Sequence, residues 1–119
     1  MSGLVELSTD ARSKTIGSNF RCRAFVQFDG DNTSNVNSSG NVSSVSDNSS
    51  GSYTINFTTA LASSGYSVVA MSDESSGTFR FNCLSRTSPL STGSVKIQTI
   101  NSSNGGFVDS NKTSVAVFL

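Results

Sequence analysis

The sequence contains no histidine, no tryptophan and a single proline, and only 13% of its 119 residues are charged. Histidine is the side chain that most often acts as a general base near neutral pH and as a ligand of transition metals. Eight basic and eight acidic residues give a net charge of zero, whereas proteins that bind nucleic acid usually carry clustered basic residues. The composition therefore argues against histidine-based catalysis and a nucleic-acid partner, and it predicts no cofactor.

Long apolar runs are also missing from the chain. The N-terminal residues MSGLVELSTDARSK lack the apolar stretch of a secretory signal. The longest apolar run, Val115 to Leu119, is far too short to cross a membrane. These absences predict a protein that is made and folded in a cytoplasm, that does not insert into a membrane and whose cysteines are reduced.

What the sequence does contain is a two-residue period of apolar side chains, which predicts β-strands because successive strand side chains point to opposite faces. The segment from Phe20 to Phe28 places Phe25 on the outward face. The inward positions of this strand and of four others are predicted to be Phe20, Cys22, Ala24, Val26 and Phe28; Tyr53, Ile55 and Phe57; Phe79, Phe81 and Cys83; Val95, Ile97 and Thr99; and Val115 and Val117. The segment from Tyr66 to Met71 is apolar on both faces from Val68 onward, which predicts a strand that is covered on both sides.

Small polar residues separate these segments. The chain has 27 serines, 11 threonines and 11 asparagines, many of them in turn-forming clusters with Gly and Asp. Short strands punctuated in this way predict an all-β fold, an antiparallel β-sandwich or small barrel of about seven strands over residues 20–119. A short, weaker strand is predicted at Asn41 to Val45, and disorder is the prediction for the polar segment from Asp29 to Gly40. Residues 1–19 are predicted to form an N-terminal arm, with one candidate helical turn at 9–14.

The two cysteines, Cys22 and Cys83, fall on the inward faces of their predicted strands. Two small buried thiols are the favoured interpretation, and a disulfide formed after release from the cell is the alternative. Two thiols in a chain without histidine do not predict a metal site.

One loop, Asp29-Gly30-Asp31-Asn32-Thr33, has the spacing of oxygen ligands in a calcium-binding loop. The carboxylate that closes such a loop is missing, because the twelfth position is Gly40. A solvated hairpin loop is therefore favoured over a calcium site. A serine nucleophile needs an adjacent base, and no S-x-x-K motif offers one. We therefore expect a chain without catalytic or metal-binding residues.

Four large apolar side chains are predicted on the outward faces of their strands, namely Phe25, Leu84, Ile100 and Phe118. Large apolar surfaces on small soluble proteins usually contact partners. We therefore treat Leu4, Val5, Phe25 and Phe118 as a candidate subunit interface, in which the arm and Phe25 pack against neighbouring copies in a homo-oligomer, expected to be a trimer. The alternative is that the arm covers part of the outer sheet of the same chain.

Three segments form a longer motif, RAFVQFDG at Arg23–Gly30, NVSSVSDN at Asn41–Asn48 and GSYTINFTTA at Gly51–Ala60. This motif resembles the C-terminal β module of the tail-fibre proteins of tailed bacteriophages, whose pattern is roughly RAWVNFxG followed by NVSSIxDxGxGxYTVNFTTA. The end of that module is also similar to three short stretches, Val95 to Thr99, Asp109-Ser110 and Val115 to Phe118, and the resemblance covers about residues 13 to 119. Phe25 stands where that family usually has tryptophan.

The resemblance implies a non-enzymatic structural protein of the virion, of the tail-fibre or receptor-binding type, that works by assembly and surface contact. Its implied partners are copies of itself, other virion proteins and a receptor or glycan on the host surface. Because the module makes up nearly all of this chain, a capsid decoration (cement) protein on the phage head is the alternative. A free carbohydrate-binding domain is a further alternative, for which the available stacking aromatics are Tyr53, Tyr66 and Phe107.

Overall fold

The computed structural model of the chain describes residues 21–33, 35–73, 79–85 and 90–119. Within these residues lie eight strands: β1 (Cys22–Phe28), β2 (Val36–Gly40), β3 (Val42–Ser49), β4 (Ser52–Phe57), β5 (Ser67–Ser72), β6 (Arg80–Leu84), β7 (Ser94–Asn101) and β8 (Thr113–Phe118). They form two four-stranded antiparallel sheets, sheet A in the order β2-β1-β8-β5 and sheet B in the order β3-β4-β7-β6. The predicted all-β antiparallel sandwich is confirmed, with eight strands where about seven were expected. The predicted arm, with its candidate helical turn at 9–14, lies outside the described residues.

The core lies between the two sheets and is built mainly from the inward positions of β1, β4, β7 and β8. Its buried apolar side chains are Ala24, Val26, Phe28, Val45, Tyr53, Ile55, Phe57, Leu61, Tyr66, Val95, Ile97, Val115 and Val117. Alternate residues of these strands point the other way and are more exposed, as the pleat requires. The predicted inward faces of the four strands are therefore confirmed, with Cys22 as an exception and Phe20 outside the described residues.

A strand forms where the sequence predicted disorder. β2 pairs with β1 in antiparallel register, so that Gly40 lies opposite Phe25 and Ser38 opposite Gln27. The side chains of β2 are mostly exposed Ser and Asn, and the apolar alternation that identifies a strand is absent. Backbone pairing with β1 holds this strand in the sheet, and the prediction of disorder was wrong for residues 36–40.

The chain passes from sheet A to sheet B at Asn41, between β2 and β3. Asn41 has a left-handed backbone with φ of 54°, a conformation that asparagine adopts more readily than most residues. Its side chain fixes the corner, because Nδ2 donates to Arg23 O and Thr59 O, both at 3.1 Å, and Oδ1 accepts the Thr59 N–H at 2.8 Å. β3 then runs for eight residues, and is longer than the strand predicted to end at Val45.

The faces of β6 are opposite to those predicted. Phe81 pairs with Ile100 on the outside of the sandwich, and its side chain is 58% exposed. Asn82 pairs with Thr99 on the inside, where Asn82 Oδ1 accepts from Ser72 Oγ at 2.9 Å and from Thr99 Oγ1 at 3.2 Å. Pairing with β7 sets this register, and a slip of one residue exchanges every side chain between the faces. The predicted inward positions of this strand were therefore wrong, namely Phe79, Phe81 and Cys83. The predicted outward position of Leu84 was also wrong, because Leu84 pairs with the buried Ile97 and points inward.

β5 is an edge strand with one uncovered face. Val69 and Met71 on its outer face are 58% and 76% exposed. Val68 and Ala70 are half-buried and pack against the core. The sequence predicted that both faces of this strand are covered. Within the described residues of a single chain the outer face is exposed, so that prediction was wrong.

Both cysteines are exposed and free, and they lie on different sheets. Cys22 leaves the inward face because the register of β1 with β8 is irregular between Cys22 and Ala24. Cys83 shares the outer face of β6 with Phe81 and pairs with Gln98 of β7. The predicted burial of the two thiols was therefore wrong.

The phenol of Tyr53 joins three loops at one end of the sandwich. Tyr53 is fully buried and packs edge to face on Phe28, with ring centroids 5.1 Å apart. Its hydroxyl lies 2.7 Å from Asp109 Oδ1 and 2.9 Å from Gly30 O. The same carboxylate oxygen accepts the Gly51 N–H at 2.7 Å. We call these four residues, Tyr53, Asp109, Gly30 and Gly51, the Tyr53 cluster.

Two glycines allow the loops to approach the Tyr53 cluster. A Cβ on Gly51, whose φ is 65°, would lie 2.5 Å from Val108 N and 2.6 Å from Thr99 O. A Cβ on Gly30 would clash with Ser110 O and lie 2.8 Å from the Tyr53 hydroxyl oxygen. Both positions therefore require glycine, one for its backbone conformation and both for space.

Removing the Tyr53 hydroxyl tests its contribution to stability. Tyr53→Phe keeps the buried ring and deletes a hydrogen bond to a carboxylate, so the free energy of unfolding should fall by about 1.5–3 kcal/mol, measured by chemical denaturation. Ser49→Ala, at an exposed position of β3, is the control and should change stability by less than about 0.5 kcal/mol. Equal effects of the two substitutions would contradict the role assigned to the cluster.

The same phenol predicts a loss of stability in alkali. Burial raises the pKa of Tyr53, and the hydrogen bond to Asp109 and the negative charges of Asp109, Asp47 and Asp31 raise it further. Above about pH 10 the unfolded chain releases this proton while the folded chain retains it, so stability falls as pH rises, by up to about 1.4 kcal/mol per pH unit for one such group. Denaturation between about pH 9 and about pH 11 should show a shallower slope for Tyr53→Phe than for the wild type. Identical slopes would count against this account.

Candidate interaction surface

The outer face of sheet A is apolar across three neighbouring strands. Cross-strand pairing places Phe25 of β1, Ala116 of β8 and Val69 of β5 in one row. The next row across the same strands contains Gln27, Ser114 and Met71. Because opposed residues of antiparallel strands point to the same side, the rows form one continuous surface. We call this surface the sheet A face and define it by Phe25, Val69, Met71, Ala116 and Phe118.

A shallow concavity of about 490 Å³ lies on the sheet A face. Ala116 has the smallest side chain of its row, so the surface is lowest between Phe25 and Val69. None of the described side chains that line the concavity is ionisable. A surface of this kind suits contact with another apolar surface.

Phe25 is accommodated by a glycine on the neighbouring strand. Gly40 of β2 lies opposite Phe25, and a Cβ on Gly40 would lie only 2.5 Å from Phe25 Cε1. The aromatic ring therefore lies over the glycine and compensates for its missing side chain, while 43% of Phe25 remains exposed. Phe118, at the end of β8, is 38% exposed on the same face. The other two residues of the predicted interface, Leu4 and Val5, lie outside the described residues.

The two most exposed side chains of the sheet A face, Val69 and Met71, were not predicted as interface residues. The signal for them was present in the sequence, because β5 is apolar on both faces. The sequence-based prediction took that signal to mean that both faces of β5 are buried within one chain. The apolar pattern alone does not distinguish burial within one chain from burial against a partner.

The outer face of sheet B has a different chemistry. Asn56 of β4 donates from Nδ2 to Ser44 Oγ at 3.1 Å and to Ser46 Oγ at 3.0 Å. These short polar side chains bond one another along the surface and remain hydrated without charge. The apolar exception is the β6 side, where Phe79 and Phe81 are 63% and 58% exposed.

A second concavity, of about 470 Å³, lies between the edges of β5 and β6. Leu84 points inward opposite Ile97 but remains 37% exposed, because no further strand covers the β6 edge within the described residues. Val69 and Met71 line the same concavity from β5. Exposed apolar side chains of both sheets therefore meet at this side of the sandwich.

The loop with calcium-like spacing is closed by its own hydrogen bonds. Asp29 Oδ1 accepts the Asp31 N–H at 2.9 Å, and Asp29 O accepts the Asn32 N–H at 3.2 Å. The Asp29 N–H donates to Asn35 O at 3.1 Å, so the loop joins β1 to β2 as a hairpin. Within the described ranges, no three acidic or thiol side chains are grouped so that they could hold a metal ion.

Two of the three aromatics considered for sugar stacking are buried. Tyr53 belongs to the core, and the Tyr66 hydroxyl lies 2.8 Å from Ser91 O and 3.1 Å from Ser94 O. Burial raises the pKa of Tyr66, against a lowering effect of the hydrogen bond to Ser91. Phe107 is 52% exposed. The structure therefore leaves a single aromatic of this set available to a sugar ring.

No protein-family model, curated protein or solved structure matches the chain. No helix in the described part of the chain is long and apolar enough to span a membrane. The motif residues and the sheet A face therefore carry the functional argument.

The exposure of both thiols gives a direct chemical test of the fold. Cys22 and Cys83 should both react with a soluble disulfide reagent in the native protein, at rates within a few-fold of those in the denatured protein, because thiol reactivity depends on access as well as on ionisation. Cys22→Ser and Cys83→Ser should each leave one reactive thiol. A thiol that reacts only after unfolding, in the monomeric protein, would contradict the exposed position that the structure gives it.

Proposed function

We propose that this chain is a non-enzymatic structural protein of a tailed-bacteriophage virion, of the tail-fibre or receptor-binding type, that works by assembly and surface contact. It is made in the host cytoplasm and acts in the virion as a homo-oligomer, which the resemblance and the outward apolar residues favour as a trimer. Its partners are other virion proteins and a receptor or glycan on the host surface. The exposed apolar side chains of the sheet A face are the observation that supports assembly. The resemblance to the tail-fibre module supports a position in the tail of the virion.

The residues that resemble the tail-fibre module form a connected part of the fold. The segment RAFVQF lies in β1, Asn41 and β3 contain NVSSVSDN, and the Gly51 turn leads into β4. Asp109, from the end of the chain that also resembles the module, binds Tyr53 and Gly51 of the central segment. The motif thus includes Tyr53 and Gly51, whose contacts with Asp109 hold the loops together. Such residues are expected in a motif that is shared by proteins of one fold.

The sheet A face supports a role in assembly. Phe25, Val69, Met71 and Phe118 are 43%, 58%, 76% and 38% exposed. Each Å² of apolar surface removed from water stabilises a contact by about 25 cal/mol, so a subunit that covers this face gains from its burial. A free carbohydrate-binding domain has less support, because Tyr53 and Tyr66 are buried.

Immunogold labelling of intact particles tests the place of action. An antibody raised against the purified chain should label the tail of phage particles that carry it. Label over the whole head would favour the capsid decoration alternative. Purified particles without label, from a culture in which the chain is present in the lysate, would contradict both virion roles.

The number of copies per particle separates the two virion roles independently. A tail-fibre tip requires tens of copies, whereas a decoration protein requires hundreds. Quantitative mass spectrometry of purified particles, with the chain measured against the major capsid protein, gives this number. We expect the lower value.

A further inference from the structure

Within the described residues, one edge of β5 is unpaired, and this free edge lacks the features that usually keep sheet edges from pairing. Among the four edge strands of the two sheets, β3 carries Asp47 and two register irregularities, β6 carries Arg80, and β2 consists mainly of exposed Ser and Asn and ends at Gly40. β5 has the sequence SVVAMS, without charge, proline or glycine, and its register with β8 is regular. Apolar, uncharged edge strands of this kind pair with other strands unless something blocks them.

The backbone groups of β5 alternate between β8 and the free edge. The Asp73 N–H donates to Lys112 O at 3.0 Å, at the point where β5 leaves its pairing with β8. Because the direction of the N–H and C=O groups reverses at each residue of a strand, Met71 and Val69 also bond to β8. The groups that point to the free edge belong to Val68, Ala70 and Ser72.

We propose that β5 pairs in antiparallel fashion with β5 of a second copy of this chain, around a two-fold axis at Ala70, and so extends sheet A across two chains. Val68 and Ser72 are placed symmetrically about Ala70, and the pairing therefore satisfies the free backbone groups of both strands. It also places Val69 beside Met71 of the partner subunit on a shared sheet A face. The inference rests on the proposed self-association but not on a trimer, because a two-fold contact gives assemblies with an even number of chains.

A second copy suits this edge better than a charged partner does. Neither β5 nor the described lining of the concavity on the sheet A face carries an ionisable side chain, so electrostatic attraction does not select a partner of opposite charge. An identical strand offers the same spacing of donors and acceptors, and main-chain hydrogen bonds are what holds an added strand.

Edge pairing brings apolar side chains together at the seam between the two chains. Val69 lies beside Met71 of the partner subunit, and Met71 lies beside Val69 of the partner subunit, so the two most exposed side chains of the sheet A face shield part of one another from water. Phe25 lies on β1, which β8 separates from β5, and the pairing leaves it on the outer surface of the extended sheet.

A matched pair of lysine substitutions in the full-length chain tests the proposal. Val69→Lys adds a charge at the β5 edge, and Phe81→Lys adds one at β6, where the replaced side chain is equally exposed, at 58%. We expect Val69→Lys to weaken self-association at least tenfold by sedimentation velocity, and Phe81→Lys to change it less than threefold. Both positions are exposed, so the far-ultraviolet circular dichroism spectrum of each variant should match that of the wild type and confirm that the fold is retained.

The outcomes separate failure of the inference from failure of the proposed self-association. An oligomer that Val69→Lys leaves intact, or that Phe81→Lys disrupts equally, overturns β5 pairing and leaves self-association standing. A trimer by light scattering also overturns the two-fold contact. A wild-type chain that is monomeric at high micromolar concentration contradicts both the inference and the homo-oligomer.

Amide hydrogen exchange gives a second readout that does not depend on substitutions. In the assembled wild type, the amides of Val68, Ala70 and Ser72 should exchange at least tenfold more slowly than in Val69→Lys. The amides of Met71 and Asp73 bond to β8 and should be protected in both proteins. Rapid exchange of the first set in the assembled wild type would overturn the pairing, and protection of that set in a monomer would assign the edge to a segment of the same chain.

Discussion

The burial of one phenolic hydroxyl constrains the whole sandwich. A buried hydroxyl without an acceptor costs about 1–3 kcal/mol, so the β1–β2 hairpin and the β7–β8 loop must bring Gly30 O and Asp109 to Tyr53. Asp109 in turn binds the Gly51 N–H of the β3–β4 turn. Three loops from both sheets are thereby held at one end of the core, and β8 enters sheet A from a position that this cluster determines.

A chain with 34% apolar residues completes its interior with short polar side chains. Ser110 and Thr113 are almost fully buried, with their hydroxyl oxygens 2.7 Å apart, and Thr113 Oγ1 lies 3.1 Å from Ser72 Oγ. Ser72 then donates to Asn82 on the opposite sheet at 2.9 Å. Buried polar groups are tolerated when they satisfy one another, and this chain of contacts links sheet A to sheet B where apolar side chains are few. Serine and asparagine in this sequence therefore serve both the surface and the interior.

The sequence predicted correctly those strands in which apolar and polar side chains alternate along the strand. The inward faces of β4, β7 and β8 follow from side chains that alternate within one strand. β2 was missed because backbone pairing with β1 holds it and no side-chain pattern marks it. β6 was inverted because Asn82 finds partners on two other strands, and such long-range hydrogen bonds leave no trace in local hydropathy. Phe25 and Phe118 were recovered as surface residues because their neighbours in sequence are buried.

The error at β5 is informative in a different way. An apolar pattern on both faces of a strand reports that the strand is covered, but it does not report whether the same chain provides the cover. In the described residues the inner side chains, Val68 and Ala70, are covered by the core, while the outer ones, Val69 and Met71, face solvent. Stable monomers usually place charge, proline or a bulge at such an edge, and β5 has none of these. The exposed apolar side chains and the unprotected edge of β5 are therefore both arguments for the proposed self-association.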